Sequence, residues 1–257
     1  MPPVVKNLLI INVLVFLLQT MMGDQVENLF ALHYWHSPYF RWWQLLTHMF
    51  MHGGFMHIFF NMFALVMFGR VLEESMGPQR FLAFYLICGV GAAICHLSVL
   101  AMQYDGFHDA FVYYQQHPTI QEYAKMLQKG KLAHPAFGSI LSYWSEHPDC
   151  TDCASVSIER INEYYLAMVN EATVGASGAV YGVLFAFAYI FPNTTLFIFP
   201  IPVPIKAKWA VVIFAMIELT SGIRDSVGDN IAHFAHLGGM LFAFLLLRAW
   251  KVRRMLW

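Results

Sequence analysis

Six stretches of mostly apolar residues, roughly 5–22, 55–72, 81–102, 174–191, 205–221 and 231–249, constrain this chain more than anything else in it. Each approaches the ~17–25 residues that a helix needs to cross a bilayer. Composition points to the same solvent. Hydrophobic residues make up 58% of the 257 residues and charged residues 12%, against about 25% charged in a typical soluble domain. In lipid a lone segment must satisfy its own backbone polar groups, which a helix does. The expectation is an all-α polytopic membrane protein with six transmembrane helices. The lipid bilayer is its first partner.

The first run begins almost at the N-terminus, and no A-x-A-like cleavage site follows it, so it is expected to stay as the first span. Lys6, Arg70, Arg80, Lys206, Lys208, Arg248, Lys251, Arg253 and Arg254 lie on one side of such a six-span layout, and the short loops opposite hold only Arg41 and Arg224. The positive-inside rule then places both termini in the cytoplasm, and the expected location is a bacterial cytoplasmic membrane. A net charge of −1 offers no basic field for nucleic acid. Residues 197–204, Phe-Ile-Phe-Pro-Ile-Pro-Val-Pro, are apolar but proline-broken. They read as a connection near the membrane surface, with the fifth span starting near Ile205.

Residues of about 103–172 form the one soluble-looking segment, a long extracytoplasmic loop between helices 3 and 4. Within it Thr119 and Glu122 have capping-box spacing, and Gly130 can end that helix. Ser157, Ile158, Ile161, Tyr165 and Met168 suggest a second, amphipathic helix. Cys150-Thr-Asp-Cys153 favours a small disulfide or free thiols over a metal site with His147, because one C-x-x-C is half of a usual zinc set. Cys88 and Cys95 read as buried apolar residues.

Three segments inside the apolar runs are rich in small and polar residues, which are costly in a span and tend to be functional. Gly175-Ala176-Ser177-Gly178-Ala179-Val180-Tyr181-Gly182 opens the fourth. Its glycines allow close helix approach, and Tyr181 sits one turn after Ser177. It is either a packing motif or a nucleophile awaiting a base. His233-Phe234-Ala235-His236-Leu237-Gly238-Gly239 opens the sixth. His236 is a general base, a metal ligand paired with His233, or an interhelical hydrogen-bonding residue. His52-Gly53-Gly54-Phe55-Met56-His57-Ile58-Phe59-Phe60-Asn61 opens the second. His57 and Asn61 share a helical face and suit either oxyanion donation or helix contacts.

Together these segments make the chain resemble the rhomboid family of intramembrane serine proteases. The resemblance covers roughly 1–102 and 174–250 and rests on Gly175-x-Ser177-Gly178-x-x-Tyr181-Gly182, Ala235-His236-x-x-Gly239 and His52…His57-x-x-x-Asn61. It implies one rhomboid-like membrane domain over 1–257, with 103–172 as an inserted loop. It also implies an endopeptidase that cuts transmembrane segments of single-span membrane proteins and needs no cofactor. Ser177 would be the nucleophile and His236 the base, a dyad with no aspartate. His57 and Asn61 would serve the oxyanion with the Ser177 N–H. Tyr181 would pack on the base, Glu73 would be structural, and Gly239 would let the fourth and sixth helices touch. Gly175, Gly178 and His52 support the site, and His233 is structural or sets the tautomer.

Where many relatives carry Trp-Arg after the first span, this chain has Arg41-Trp42-Trp43-Gln44, with Gln44 in the arginine's place. Burial disfavours the imidazolium and no carboxylate partner is expected to favour it, so activity is expected to fall at acidic pH. Two rival functions are a rhomboid-like protein that binds membrane clients without cutting them, and a metal-dependent protease or transporter built on His48, His52, His57, His233 and His236. Against the first, both serine and histidine are present. Against the second, there is no H-E-x-x-H motif, the spans carrying these histidines lack the carboxylates expected of a metal site, and no two-fold pseudo-repeat is found.

Overall fold

The computed structural model describes residues 1–130, 132, 135–197, 203–224 and 230–255. The chain divides into two compact units, residues 1–99 with 172–257, and residues 100–171.

The first unit holds the apolar helices. Helix α1 (Pro3–Met22) starts with proline at its first turn, where the missing N–H costs nothing. The chain continues through α2 (Asp24–Phe30) and α3 (Gln44–Thr47). Helices α4 (Phe55–Ala64) and α5 (Arg70–Met76) are joined through a π-helical turn at Leu65–Gly69 into one apolar rod. Helix α6 (Pro78–Gln116) contributes to both units. After the insertion come α10 (Ser177–Ile190), a two-stranded antiparallel ladder of β1 (Thr195–Phe197) and β2 (Pro204–Lys206), α11 (Ala207–Arg224) and α12 (Asn230–Ala249).

The helices carry apolar residues outside and polar ones inside. Leu14, Leu17, Phe55, Phe60, Phe63, Met67 and Trp209 are exposed, while Asn12, Gln44, His52, Asn61, Glu73 and Glu218 are buried. Water would penalise that arrangement, and lipid favours it. Among the described residues, three helices, Pro3–Met22, Phe55–Met76 and Pro78–Gln116, are long and apolar enough to cross a membrane, and Ser177–Ile190 and His233–Ala249 are shorter apolar helices.

Two buried polar groups fasten this unit. Glu73 accepts hydrogen bonds from the Val4 and Val5 backbone N–H groups at 2.9 and 2.8 Å. Its carboxylate thus closes the N-terminus of α1 from another helix, satisfying donors that the helix itself leaves open. Gln44 binds the loop after α1. It accepts from the Arg41 N–H and donates to the Asn28 and Tyr39 carbonyls, at 3.1, 3.1 and 2.9 Å.

The 103–172 segment is a helical unit rather than a loop. The end of α6 is followed by α7 (Ile120–Lys129), α8 (Pro135–Glu146) and α9 (Cys153–Asn170). Phe107, Phe111, Tyr114, Tyr123, Met126, Phe137, Trp144 and Ile161 form its core. Thr119 caps α7 by accepting from the Glu122 N–H, and Gly130 follows its last residue, both as their spacing suggests. Helix α9 begins four residues before Ser157, whose hydroxyl is buried against Tyr114 Oη. Cys150 and Cys153 form a disulfide. Cys88 is buried and Cys95 is partly so.

Two helix limits differ from the sequence reading. Helix α6 runs to Gln116, well past the expected end near 102. The fifth helix starts at Ala207, because Pro204–Lys206 pairs with Thr195–Phe197 as a strand. Most of the proline run, residues 198–202, lies outside the described residues.

Candidate active site

The backbone leading into α10 is clamped before it reaches Ser177. Leu32 and Thr173 exchange two backbone hydrogen bonds at 2.9 and 2.8 Å, and the Gly175 N–H donates to the His48 carbonyl at 3.0 Å. His96 Nε2 lies 2.7 Å from Thr173 Oγ1. Gly175 adopts φ +135°, a region that L side chains rarely occupy. A Cβ there would sit 2.9 Å from the His57 ring and 3.4 Å from Ser177 Oγ, so His57 and Ser177 border one small space. Ser177 is the first residue of α10, where backbone N–H groups have no partner within the helix.

Small residues bring α12 against α10. A Cβ on Gly239 would stand 1.9 Å from the Gly178 carbonyl oxygen, and one on Gly178 would meet Ala92 of α6 at 2.5 Å. This close approach carries His236 to Ser177, and His236 Nε2 lies 2.8 Å from Ser177 Oγ. The Tyr181 ring stacks on the imidazole at 4.2 Å and 5°.

The second polar segment is set beside this pair. His57 Nδ1 accepts from the Gly53 N–H at 3.3 Å, which leaves Nε2 as the donor of a neutral ring. Nε2 is the atom against Gly175. Asn61 Nδ2 donates to the His57 carbonyl at 3.0 Å, and its second N–H remains for another acceptor. His52 is buried, with no hydrogen-bond partner for either ring nitrogen among the described residues, and sits edge-on to His57 at 5.1 Å. His48, in the loop before α4, donates from Nδ1 to the Gln44 carbonyl at 2.8 Å. Burial pushes it down to about 4.

One carboxylate was absent from the sequence reading. Glu218 of α11 is buried, with its side chain in the centre of this cluster. It accepts a hydrogen bond from the Tyr181 hydroxyl. Its Oε2 lies 2.5 Å from His233 Nδ1 and 3.1 Å from His236 Nδ1. The second contact has ion-pair distance, although its angle falls short of a hydrogen bond. The expectation of a base without a carboxylate partner is therefore corrected. The expected spans that carry the histidines hold no carboxylate, but α11 brings one to them: Glu218, His233 and His236 offer ligand atoms all within 4.8 Å of one another. The acid-side loss of activity loses half of its premise. A charged residue inside an apolar helix was the available signal. No motif spacing pairs it with Ser177 or His236, because it arrives from a separate helix.

The Rhomboid domain pattern matches residues 39–112 and 136–252, most of the chain. The chain belongs to the rhomboid family. Among its relatives, an uncharacterised mitochondrial rhomboid protein of Schizosaccharomyces pombe is 26% identical over 219 residues, 83% of this chain and 53% of that protein. RHOMBOID-like protein 6, mitochondrial, of Arabidopsis thaliana is 43% identical over 61 residues, 24% of this chain and 19% of that protein. The putative rhomboid protease YdcA of Bacillus subtilis is 39% identical over 49 residues, 19% of this chain and 25% of that protein. The chain thus spans about half or less of the length of these relatives. Rhomboid membership and the apolar helices together make this an integral membrane protein.

Proposed function

We propose that this rhomboid is an intramembrane serine endopeptidase that cleaves transmembrane segments of single-span membrane proteins. The observation that carries the reading is the 2.8 Å contact of Ser177 Oγ with His236 Nε2, beneath the stacked Tyr181 ring. Serine becomes a useful nucleophile when a base within hydrogen-bond reach takes its proton.

His236 Nε2 removes the Ser177 proton as Oγ attacks the scissile carbonyl. The oxyanion accepts from the Ser177 N–H, from His57 Nε2–H and from the second N–H of Asn61. Losing one such donor costs about 10²–10³ in rate. His236 then hands its proton to the leaving amine, and water, activated by the same base, hydrolyses the acyl-enzyme. Helix α10 has 14 residues, about 21 Å at 1.5 Å per residue, short of a ~30 Å hydrocarbon core. Its first residue, Ser177, then lies below one membrane surface, where a water-lined cavity is tolerated. A substrate helix must unwind to reach it, so glycine and proline near the cut favour cleavage. In this reading six helices cross a bacterial cytoplasmic membrane, and both termini face the cytoplasm.

The test is cleavage of a single-span substrate in proteoliposomes by wild type, Ser177→Ala and His236→Ala, with and without a chelator. Both substitutions are expected to abolish cleavage, and the chelator to have no effect. Wild type that binds but never cuts would make the protein a client-binding rhomboid. Inhibition by chelator alone would turn attention to Glu218, His233 and His236 as metal ligands.

A further inference from the structure

A carboxylate inside an apolar helix is expensive unless its neighbours compensate for it. Glu218 is 5% exposed. Among the described residues, its close polar neighbours are His236, Tyr181 and His233. Tyr181 donates to Oε1 and stacks on the His236 ring. His233, one turn before His236, meets Oε2 through Nδ1. His236 Nδ1 faces the same Oε2 at 3.1 Å, while its Nε2 faces Ser177.

We propose that Glu218 is a positioning residue for the catalytic base, holding the His236 ring with Nδ1–H toward α11 and Nε2 toward Ser177. This inference rests on the serine-protease reading above. Three helices then supply a Ser–His–Glu relay: Ser177 from α10, His236 from α12 and Glu218 from α11. When Ser177 Oγ forms its bond to the substrate carbonyl carbon, the hydroxyl proton moves to His236 Nε2. The ring becomes an imidazolium whose charge faces Glu218. Glu218 takes no proton, and the imidazolium returns its own to the leaving amine as the peptide bond breaks. Tyr181 and His233 hold the carboxylate in place, which gives His233 a role through Glu218 rather than through the substrate. Where a serine protease base has such a carboxylate, neutralising it lowers turnover by about 10⁴, because the ring adopts the wrong tautomer.

The first measurement needs no turnover. In ¹⁵N-histidine-labelled wild type, above the pH at which the ring charges, the His236 signal is assigned by its absence from His236→Ala. An Nδ1–H ring supports the proposal, and an Nε2–H ring overturns it. The second measurement compares kinetics. Glu218→Gln should lower kcat by about 10²–10⁴ while KM stays within about threefold. Labelling of Ser177 by a fluorophosphonate should slow in step, and Glu218→Asp should recover part of the loss. A Glu218→Gln protein with kcat within about threefold of wild type refutes the relay. A loss that merely follows a lowered melting temperature, with no recovery by Glu218→Asp, assigns Glu218 to helix packing and also refutes it. Should Glu218→Gln not fold, the wild-type tautomer decides alone. Wild type inert toward both substrate and fluorophosphonate sinks the protease reading itself. Active wild type beside an unimpaired Glu218→Gln sinks only the relay.

Discussion

The Gly178 carbonyl oxygen occupies the place where a side chain on residue 239 would begin, 1.9 Å from an ideal Cβ. The contact is between backbones, so no flexible side chain can give way. The same approach brings His236 to Ser177. Gly239→Ala should force α10 and α12 apart. Overpacking of this kind costs about 1–3 kcal/mol or more, and a shift of 1 Å at a catalytic pair can cost about 10²-fold in rate. Thermal unfolding in detergent and Ser177 labelling by a fluorophosphonate both read the effect. A variant with normal melting and normal labelling would show that the helices can separate without moving the pair.

Gly175 makes a sharper separation between fold and activity. It is confined by its positive φ and by the His57 ring 2.9 Å from its ideal Cβ. Gly175→Ala must either displace His57 or rotate the backbone two residues before Ser177. The expected result is a loss of kcat of at least the 10²-fold attached to one oxyanion donor, with a smaller relative change in melting temperature. Equal kcat in the two proteins would remove His57 from the oxyanion assignment.

These contacts show which parts of the molecule were legible in the sequence. The helices could be placed because apolar length is a local property: α1 and α12 fall close to the expected spans, and α6 starts close to its own but runs on to Gln116. Ser177, His236 and Tyr181 stood out because their residue types and small neighbours are unusual in an apolar run. Thr119 and Gly130 were readable because capping is local. Glu218 was not, since its meaning depends on how α11 packs against α10 and α12. Gln44 carried no signal either: an exposed loop amide and a buried hub look identical as letters. The stretch read as a loop holding two helices became four helical segments with their own core; the end of α6 and α8 went unread, because short amphipathic helices carry weaker patterns than spans.

Glu73 predicts a loss of stability without a loss of chemistry. It accepts from the Val4 and Val5 N–H groups and does not touch Ser177, His236 or His57. Glu73→Ala leaves two helix donors without their acceptor. Hydrogen bonds to a charged group contribute about 1.5–3 kcal/mol each, less whatever water recovers. A lower melting temperature is expected, and Glu73→Gln, which keeps one acceptor oxygen, should fall between. Per folded molecule, fluorophosphonate labelling of Ser177 should match wild type. Slower labelling in fully folded protein would mean that α1 influences the site in a way the contacts do not reveal.

His48 ties stability to pH. It is neutral and buried, donates to the Gln44 carbonyl, and its own carbonyl holds the Gly175 N–H. Burial lowers it from 6.5 to about 4. As pH falls below about 6.5, the unfolded chain takes up a proton that the folded protein refuses. Stability must therefore fall with pH across that window and level off below about 4. A shift of this size corresponds to about 3 kcal/mol at 1.36 kcal/mol per unit. Buried His52, also held at about 4, adds to the same slope. His48→Asn can still donate to a carbonyl but does not titrate. Its unfolding free energy in detergent should decline less than that of wild type between pH 6.5 and 4, and the difference between the two curves isolates His48. Parallel curves would mean that the ring meets water or a compensating charge in the folded protein.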